Sequence, residues 1–320
     1  MKFTVLVISY NSKLSQLYLT LQSVLWQRFD DFELVIADDG SSENHFAELE
    51  KFFQKNQFTH YKLIANHENR GTVQNILSGL RHTEGKYVKL ISAGDALYDE
   101  NTLQKIWDFM EKEQCEGCFG LLQGYQWEEE KRIRKVGYFH PLDIKAYRSR
   151  DHRRIVKNLV LYSDNVCGAA ICYKTGFALE YMERIQAQVL YEEDIFQVLA
   201  AVEGRELRLF DAYMIWYEIG TGMSTKKNSG FETRMRRDEE SFYKELYRQY
   251  GEHPNVKKRF RLMKFYKIHN LYLRTFFRFF ANPDSLRYVL VSMVQRKRGA
   301  HKQKTDTAGF LEQEDFLEKL

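Results

Sequence analysis

The sequence is poor in cysteine, proline and glycine. Its 320 residues include four cysteines, three prolines and 18 glycines, whereas 44% of the residues are hydrophobic and 15% are aromatic. So few prolines and glycines argue against long flexible linkers, and the hydrophobic content excludes an intrinsically disordered or collagen-like chain. The length corresponds to about two average domains. We therefore expect a globular protein with a sizeable core.

The few cysteines and the histidines form no clear metal-binding pattern. Cys115 and Cys118 have the spacing of a redox or zinc motif, but the sequence contains no second close pair. The nine histidines include no His-x-x-x-His pair, which argues against a dedicated zinc site. We expect all four cysteines, including Cys167 and Cys172, to be reduced.

Long apolar runs are absent as well. The first run, residues 5–8, is shorter than the ~7–15 residues of a signal-peptide core. The most apolar later stretch, residues 276–294, is interrupted by Arg278, Asp284 and Arg287 and does not reach the ~18 uncharged residues of a spanning helix. The sequence therefore predicts a protein that is located in the cytoplasm and does not cross a bilayer.

The modest net charge of +4 hides a strong asymmetry along the chain. Residues 257–304 contain fourteen Lys or Arg residues against one acid, Asp284. Residues 305–320 carry a net charge of −4, and residues 1–256 carry a net charge of −5. A mildly acidic body is thus joined to a strongly basic segment, and a functional interpretation has to account for both.

Hydrophobic periodicity predicts strands alternating with helices in the first part of the chain. Continuous runs rich in Val and Ile predict strands, and apolar residues at helical spacing predict helices. The predicted strands are residues 3–9, 32–37, 61–65, 87–92 and 120–125, and the predicted helices are residues 12–27, 46–55, 72–80 and 103–113. This alternation is typical of a parallel sheet covered by helices on both faces.

The later part of the chain is less regular. Between residues 128 and 154 the periodicity weakens, and the basic run at 148–154 is interpreted as a solvated loop, with contact to an acceptor diphosphate as the alternative. The patterns then predict helices at 177–188 and 195–203, strands at 206–210 and 214–217, a loop at 220–227, and only helices beyond residue 232.

Polar and aromatic side chains follow three of the predicted strands. Tyr10 and Asn11 follow the first strand, Asp38 and Asp39 follow the second, and Asp95 comes shortly after the fourth. Because ligands of open parallel sheets bind beyond the carboxyl ends of the strands, we expect these residues to face one crevice. An acid at a single strand end also fits a helix N-cap. Acids and an aromatic ring at three strand ends favour a ligand site.

The sequence lacks a glycine-rich phosphate loop after the first strand. This absence argues against Rossmann dehydrogenases and P-loop NTPases. A diphosphate bound without such a loop needs another counter-charge, and a carboxylate-held Mg²⁺ or Mn²⁺ is the natural candidate. A second acidic cluster, residues 192–194, opens a predicted helix, where it either complements the helix dipole or supplies a general base.

The order of these motifs resembles family 2 glycosyltransferases with the GT-A fold. The resemblance is carried by Val-Leu-Val-Ile-Ser-Tyr-Asn at 5–11, Ala-Asp-Asp-Gly-Ser at 37–41, Asn-Arg-Gly at 69–71, Gly-Lys-Tyr-Val at 85–88 leading to Asp95, and Glu193-Asp194. It covers roughly residues 1–225 and is most specific in the first 100. It implies an α/β nucleotide-sugar-binding fold with a mostly parallel sheet, followed here by a helical, basic C-terminal extension.

The resemblance also implies a donor site. Tyr10 would stack on the nucleobase, Asp39 would accept its N–H, and Asp95 would bind a divalent cation, Mn²⁺ or Mg²⁺. The family's Asp-x-Asp motif is replaced here by Ser92-Ala93-Gly94, so the ribose contact is left to Ser92 or to backbone, and the need for a metal is in question. The other residues expected to bind the donor are Ser9, Asn11, Asp38, Asn69, Gly71 and Lys226.

The resemblance further implies the chemistry. Asp194, with Glu193 beside it, would deprotonate an acceptor hydroxyl, which would displace the nucleoside diphosphate from the sugar with inversion. A UDP-sugar is favoured as donor, and a lipid-linked glycan of surface polysaccharide synthesis, at the inner face of the cell membrane, is expected as acceptor. Because Ser92 and Gly94 are not acids, a catalytically silent partner subunit of another glycosyltransferase is the alternative.

Three interpretations of the basic, aromatic segment 257–304 remain. It is a helix packed on a core, a nucleic-acid-binding segment without a recognition module, or, as we favour, an amphipathic segment on an anionic membrane. We expect no nucleic-acid partner.

The predicted domains are a catalytic domain at 1–230, with a donor half at 1–100 and an acceptor half at 101–230, and the extension at 231–320. The oligomeric state stays open, a homo-oligomer included.

Overall fold

The computed structural model describes residues 1–129, 132–220, 229–268, 270–302 and 308–319. Within these ranges the strands are β1 (Phe3–Ser9), β2 (Phe32–Asp38), β3 (Tyr61–Ala65), β4 (Tyr87–Ser92), β5 (Ala96–Leu97), β6 (Gly117–Glu129), β7 (Arg132–Val136), β8 (Ile171–Lys174) and β9 (Arg208–Glu218).

The helices lie between and after these strands. They are α1 (Leu14–Leu25), α2 (Phe46–Lys55), α3 (Thr72–Leu80), α4 (Thr102–Glu113), α5 (Ile144–Arg148), α6 (His152–Tyr162), α7 (Thr175–Ile185), α8 (Phe196–Val202), α9 (Ser229–Tyr250), α10 (Pro254–Met263), α11 (Leu271–Ala281), α12 (Asp284–Lys297) and α13 (Glu314–Glu318). Short 3₁₀ turns at Gly168–Ala170 and Glu193–Ile195 precede β8 and α8.

The strands form a single sheet with the order β3-β2-β1-β4-β8-β6-β9-β5, and β7 pairs with β6. β1 lies between β2 and β4 and runs parallel to both. The last residues of these three strands, Ser9, Asp38 and Ser92, therefore lie at the same edge of the sheet. The chain order reverses between β1 and β4, which is where ligands of such sheets bind. The three strand ends thus lie together at the switch in strand order.

Alternate residues of the central strands face two different cores. Val7 and Ile36 pack with α1, α2 and α4 on one face, whereas Leu6 and Val35 pack with α3 and α6–α8 on the other. All four side chains are fully buried. A strand covered on both faces needs apolar residues at every position, which explains the continuous hydrophobic runs of β1 and β2.

The C-terminal helices begin as part of this core and end on the surface. Phe242 and Tyr243 of α9 and Val256 of α10 are buried in the core beside α6–α8. The helices α11 and α12 instead expose large apolar side chains. Among the described helices, none combines the length and the apolar character that crossing a bilayer requires.

The C-terminal tail packs back onto the sheet. Phe310, Leu311 and Phe316 are buried and contact a cluster that includes Tyr98 and Trp216. The backbone N–H of Phe310 also donates to the carbonyl oxygen of Tyr98 at 2.8 Å. The acidic tail is therefore part of the folded structure next to β5 and β9.

Two sequence predictions about the later part of the chain are wrong. Residues 206–210 and 214–217 were expected to form two strands, but β9 is one strand, and its register against β6 shifts between Phe210 and Tyr213. This irregularity coincides with the gap in the apolar pattern.

The basic run at 148–154 is exposed at residues 148–153, as expected for a solvated segment, but most of it is not a loop. It spans the end of α5 and the start of α6. Arg148 makes a bidentate ion pair with Asp211 (2.7 and 2.8 Å), and Arg154 makes one with Asp143 (2.5 and 2.7 Å). Both arginines therefore use their charge to fix the fold. The loop predicted around residues 220–227 lies, beyond Gly220, outside the described residues.

Candidate functional site

The turn after β2 ties the ends of β1 and β2 together. Asp38 accepts hydrogen bonds from the hydroxyls of Ser9 (2.9 Å) and Ser41 (2.6 Å) and from the backbone N–H of Ser41 (2.8 Å). The backbone N–H of Asn11 donates to Ser41 Oγ at 2.7 Å, with Asn11 in a left-handed conformation (φ 48°). Tyr10, on the same turn, is 40% exposed. Its ring is therefore available to a ligand at the sheet edge.

Asp39 fixes the loop between β3 and α3. Its carboxylate accepts hydrogen bonds from the backbone N–H groups of Arg70 (3.0 Å) and Gly71 (2.9 Å) and from the side-chain amide of Asn66 (3.2 Å). The side chain is buried. Several N–H donors aimed at one carboxylate stabilise its charge and fix its orientation. Asp39 is therefore held rigidly at the end of β2.

Gly71 brings the segment before residues 192–194 against this edge. Its φ of 90° is a conformation that favours glycine, and a Cβ here would lie 2.6 Å from the carbonyl oxygen of Leu190. The backbone N–H of Val73 donates to the same oxygen at 3.1 Å. A side chain at position 71 would push the two segments apart. The loop that Asp39 holds thus touches the chain that leads into the acidic cluster.

Asp194 rests against the 3₁₀ turn Gly168–Ala170. Its Oδ2 accepts a hydrogen bond from the backbone N–H of Gly168 at 3.0 Å, whereas the buried Oδ1 has no hydrogen-bond partner among the described residues. A Cβ at Gly168 would lie 2.6 Å from Asp194 Oδ1 and 3.2 Å from Glu193 Oε1. The absence of a side chain at Gly168 makes room for both carboxyls.

Burial changes the proton affinity of this acidic cluster. It raises the pKa of Glu193 to about 7 and that of Asp194 well above its ordinary value, and the neighbouring Glu193 charge raises Asp194 further. Burial also raises the pKa of Glu192 to about 8, with added effects of Glu239 and Glu193. A carboxyl with a raised pKa is a stronger base once it is ionised.

Asp95 lies three residues after the end of β4 and is buried. It is 3% exposed, and its Oδ1 accepts a hydrogen bond from the backbone N–H of Glu218 at 2.9 Å. Burial raises the pKa of Asp95 to about 8, and the Glu218 charge contributes to the increase. The charge of Lys89 on β4 acts in the opposite direction and lowers the pKa of Asp95. The Lys89 ammonium makes its own hydrogen bonds to the carbonyl oxygens of Leu90 (2.7 Å) and Ala169 (2.5 Å).

The 3₁₀ turn Gly168–Ala170, which follows Cys167, connects Asp194 with β4. Burial raises the pKa of the Cys167 thiol, and the charges of Asp194 and Asp95 raise it further. The backbone geometry shows the connection: the Gly168 N–H donates to Asp194 Oδ2 at 3.0 Å, and the carbonyl oxygen of the adjacent Ala169 accepts from Lys89 of β4 at 2.5 Å. Together with the contact between Gly71 and Leu190, these contacts link the strand-end residues and β4 to the acidic cluster.

Helix α9 holds the acidic segment from outside. The buried Asp238 accepts hydrogen bonds from the backbone N–H groups of Leu190 (2.9 Å) and Tyr191 (2.8 Å). One turn earlier, the guanidinium of Arg234 lies over the Tyr191 ring at 5.6 Å. Charge-assisted hydrogen bonds of this kind restrict the backbone. The position of residues 192–194 therefore depends on α9.

The structure brings most of the predicted site residues together but not all of them. Ser9, Asn11, Asp38, Asp39 and Gly71 form the hydrogen-bonded edge described above, and Asp95, Glu193 and Asp194 line the region beside it. Ser92 ends β4 and is partly exposed. Asn69 is exposed beside the loop that Asp39 fixes, and Lys226 lies outside the described residues.

Sequence reasoning did not identify four further residues of this region. They are Cys167, Gly168, Glu218 and Asp238, which come from distant segments and meet the site only in the folded chain. The glycine between Cys167 and Ala169 was the one available signal, because a glycine before a buried strand often marks a close approach. The positions of Glu218 and Asp238 had no comparable signal in the sequence.

A metal ion would have few protein ligands here. Within the described ranges, no group of three or more His, Cys, Asp or Glu side chains is arranged to hold one. Mg²⁺ is usually bound through one or two carboxylates together with substrate phosphates, so a complete protein cage is not required. Asp95 fits this limited role, and the space left by Gly94 beside it contains a second carboxylate, that of Glu218.

Comparison with known proteins identifies a family. The model of the family named glycosyl transferase family 2 matches residues 4–173. Two similar proteins are both described as an uncharacterized glycosyltransferase. The one from Rickettsia bellii is 31% identical over 111 residues, which are 35% of this chain and 15% of the relative. The one from Haemophilus influenzae is 25% identical over 173 residues, 53% of this chain and 47% of the relative. The chain therefore spans less than half the length of these relatives.

A solved structure supports the fold. The crystal structure of S. aureus TarS, residues 1–349, in complex with UDP-GlcNAc is similar with a TM-score of 0.51 at 19% identity. The similarity covers 75% of this chain and 66% of that one. The predicted α/β architecture with a mostly parallel sheet and a helical C-terminal region is thus confirmed as a GT-A fold.

Proposed function

The chain belongs to glycosyl transferase family 2, and from this premise we propose that it is an inverting glycosyltransferase that uses a nucleoside-diphosphate sugar. The observation that carries the proposal is the connection of the strand-end residues to the acidic cluster, through the contact of Gly71 with Leu190 and through the turn that joins Asp194 to β4. A donor and an attacking hydroxyl would have to meet in such a place.

The donor's nucleotide occupies the edge formed by β1 and β2. The exposed Tyr10 ring stacks on the base, and Asp39 accepts its N–H while Arg70 and Gly71 keep the carboxylate oriented. Ser9, Asn11, Asp38 and Asn69 shape the edge, Ser92 contacts the ribose, and Lys226 meets the phosphates. We favour a UDP-sugar, and the TarS complex with UDP-GlcNAc supports this choice.

Asp194 acts as the general base, with Glu193 beside it. The Gly168 N–H fixes Oδ2, which leaves Oδ1 to accept the proton of an acceptor hydroxyl. The hydroxyl oxygen then forms a bond to the anomeric carbon as the bond to the diphosphate breaks. A single displacement of this kind inverts the anomeric configuration.

A divalent cation, Mn²⁺ or Mg²⁺, is the proposed cofactor, with Asp95 as its ligand. When bound, it would stabilise the negative charge of the departing diphosphate. The protein's own contribution is to hold Asp95 through the Glu218 N–H and to keep bulk water away from a carboxylate that is 3% exposed.

We propose a lipid-linked glycan of surface polysaccharide synthesis as the acceptor, reached at the inner face of the cell membrane. The support comes from α11 and α12, which expose large apolar side chains within the basic segment 257–304. Tyr272 and Phe280 are 85% and 80% exposed. Anionic lipid is the partner that fits a surface both basic and apolar. The extension, residues 231–320, would thus bring the catalytic domain, residues 1–230, to its acceptor.

A catalytically silent partner subunit is the second candidate. It is favoured by Ser92 and Gly94, which replace the acids of the family's motif. The retained Asp39, Asp95 and Asp194 argue against it.

Thermal-shift measurements with a panel of nucleoside diphosphates, with and without Mn²⁺, test the donor site. We expect UDP to stabilise the protein, by ~2.7 kcal/mol at 100 times its dissociation constant. A panel in which no nucleotide stabilises the protein would contradict the proposal.

Turnover with a purified lipid-linked acceptor separates the two candidates. We expect release of nucleoside diphosphate by the wild type and its loss in Asp194→Asn. Nucleotide binding without turnover would favour the silent partner, and normal turnover by Asp194→Asn would show that another residue is the base.

A further inference from the structure

The position of Gly94 is incompatible with a side chain because a carboxylate from another strand lies there. Gly94 has a φ of 100°, and a Cβ at this residue would lie 2.3 Å from Glu218 Oε2 and 3.1 Å from Gln16 Nε2. The space that a side chain at position 94 would need is therefore filled by the carboxyl group of Glu218, the last residue of β9.

Glu218 is held firmly in this position. Gln16 Nε2 donates to Glu218 Oε2 at 2.6 Å, and the Glu218 backbone N–H donates to Asp95 Oδ1 at 2.9 Å. The hydroxyl of Tyr125 donates to the carbonyl oxygen of Gly94 at 2.5 Å, which fixes the glycine from the other side. Glu218 itself is 7% exposed. Three elements, α1, β6 and β9, thus fix the geometry around this carboxylate.

Among the described residues, no positively charged side chain forms an ion pair with Asp95 or Glu218. The charge of Lys89 acts on Asp95, but the Lys89 ammonium donates its hydrogen bonds to two backbone carbonyl oxygens. The Glu218 charge acts on Asp95, and two buried carboxylates that repel each other are stabilised by a cation that both can bind.

We propose that Glu218 is the second protein carboxylate of the cation site, and that together with Asp95 it replaces the acids that are absent at positions 92 and 94. The inference rests on the proposed function, because the donor's diphosphate supplies the remaining ligands. Two carboxylates and phosphate oxygens match the way Mg²⁺ and Mn²⁺ are usually bound at phosphoryl groups. The arrangement also explains why position 94 is a glycine, because only glycine leaves room for the Glu218 side chain.

Direct measurement of Mn²⁺ binding tests the inference. The electron paramagnetic resonance signal of free Mn²⁺ is titrated with protein in the presence of saturating UDP. For Glu218→Gln, which keeps the size of the side chain and an oxygen for Gln16, we expect Mn²⁺ affinity to fall by tenfold or more. UDP binding measured in EDTA should stay within twofold of the wild type.

Glu116→Gln is the matched control. Glu116 precedes β6 and lies at the opposite end of the β6–β9 pair, where it contacts Arg205. Its substitution should leave Mn²⁺ affinity unchanged. If Glu218→Gln does not fold, Glu218→Asp, which retracts the carboxylate by one carbon and keeps the charge, should weaken Mn²⁺ binding in the same direction.

The outcomes separate this inference from the proposed function. Unchanged Mn²⁺ affinity in a folded Glu218 variant overturns the role of Glu218 and leaves the donor site intact. If the wild type binds UDP but no Mn²⁺, the role of Glu218 as a cation ligand is overturned as well. A wild type that binds no nucleotide at all overturns the proposed function itself.

Discussion

Glu193 and Asp194 are adjacent, partly buried acids, and the charge of Glu193 affects the ionisation of Asp194. Burial raises the pKa of both groups, and the Glu193 charge raises that of Asp194 further. Glu192, the Cys167 thiol and the Tyr138 hydroxyl also lie in this environment. The two carboxyls therefore titrate together, with the pKa of Glu193 raised to about 7 and that of Asp194 well above its ordinary value.

The pH dependence of the reaction should show this coupling. Because a general base acts in its ionised form, the rate should rise with pH and reach its plateau only above neutrality. In Glu193→Gln the neighbouring charge is absent, so the rising limb should move to lower pH. The measurement is the rate of product formation between pH 5 and 9 for both proteins. This account would be contradicted if the rate of the wild type already rose near pH 4, or if the rising limb of Glu193→Gln lay at the same pH as that of the wild type.

Individual site residues were predictable where a motif carried them. Asp39 and Asp194 could be identified because each stands in a short motif at the end of an apolar segment. Glu218 could not, because it lies 124 positions after Gly94 in a strand that carries no motif. Its role depends on a missing Cβ, and a sequence does not show which distant side chain fills such a space.

At the scale of elements, α9 controls the segment that carries the base. Asp238 binds the N–H groups of Leu190 and Tyr191, three to four residues before Asp194. Loss of the negative charge weakens these hydrogen bonds, by about 1–2 kcal/mol on the usual scale for charged acceptors. The acidic segment is then less well oriented, although the nucleotide edge at β1 and β2 is unaffected.

Asp238→Asn should therefore lower kcat and leave donor binding unchanged. We expect kcat to fall about tenfold, the factor that corresponds to ~1.4 kcal/mol, with UDP affinity within twofold of the wild type. Glu245→Gln is the control and should behave as the wild type, because Glu245 is a partly exposed residue of the same helix that pairs with Arg248. An unchanged kcat in Asp238→Asn would show that α9 does not orient the base.

The elements of the first hundred residues were predictable because burial on both faces leaves a clear pattern. The strands β1, β3 and β4 begin and end as predicted, and so do the helices α2 and α3. The two-residue strand β5 is too short to leave a pattern.

Later in the chain, the helix α6 was missed because its basic first turn obscures Ile155, Val156 and Leu159, which have helical spacing.

At the scale of the whole molecule, the C-terminal region has two opposite characters. The tail buries Phe310 and Phe316 against the sheet, whereas α11 and α12 expose Tyr272, Phe276 and Phe280. Composition predicted a basic aromatic segment, but it did not indicate which aromatic residues are buried. That distribution depends on which surfaces of the catalytic domain remain uncovered, which is a property of the complete fold.

The exposed aromatic surface should bind anionic membranes. We expect the protein to cosediment with vesicles that contain phosphatidylglycerol, more weakly at high salt, and poorly with neutral phosphatidylcholine vesicles. Replacing Phe276 and Phe280 by Ser should weaken binding tenfold or more, because each removes apolar area from the contact. Trp127→Ser, an exposed aromatic on β6, is the control. Equal binding by the double variant would exclude α11 as the membrane contact.

Hydrogen–deuterium exchange with and without saturating UDP tests the central claim most directly. The account predicts slower exchange in five separate segments, residues 9–11, 38–41, 66–71, 92–95 and 190–194, because one nucleotide contacts or stabilises all of them. Unchanged exchange in these segments, or protection confined to the basic helices at 257–302, would contradict a single donor pocket at the strand ends.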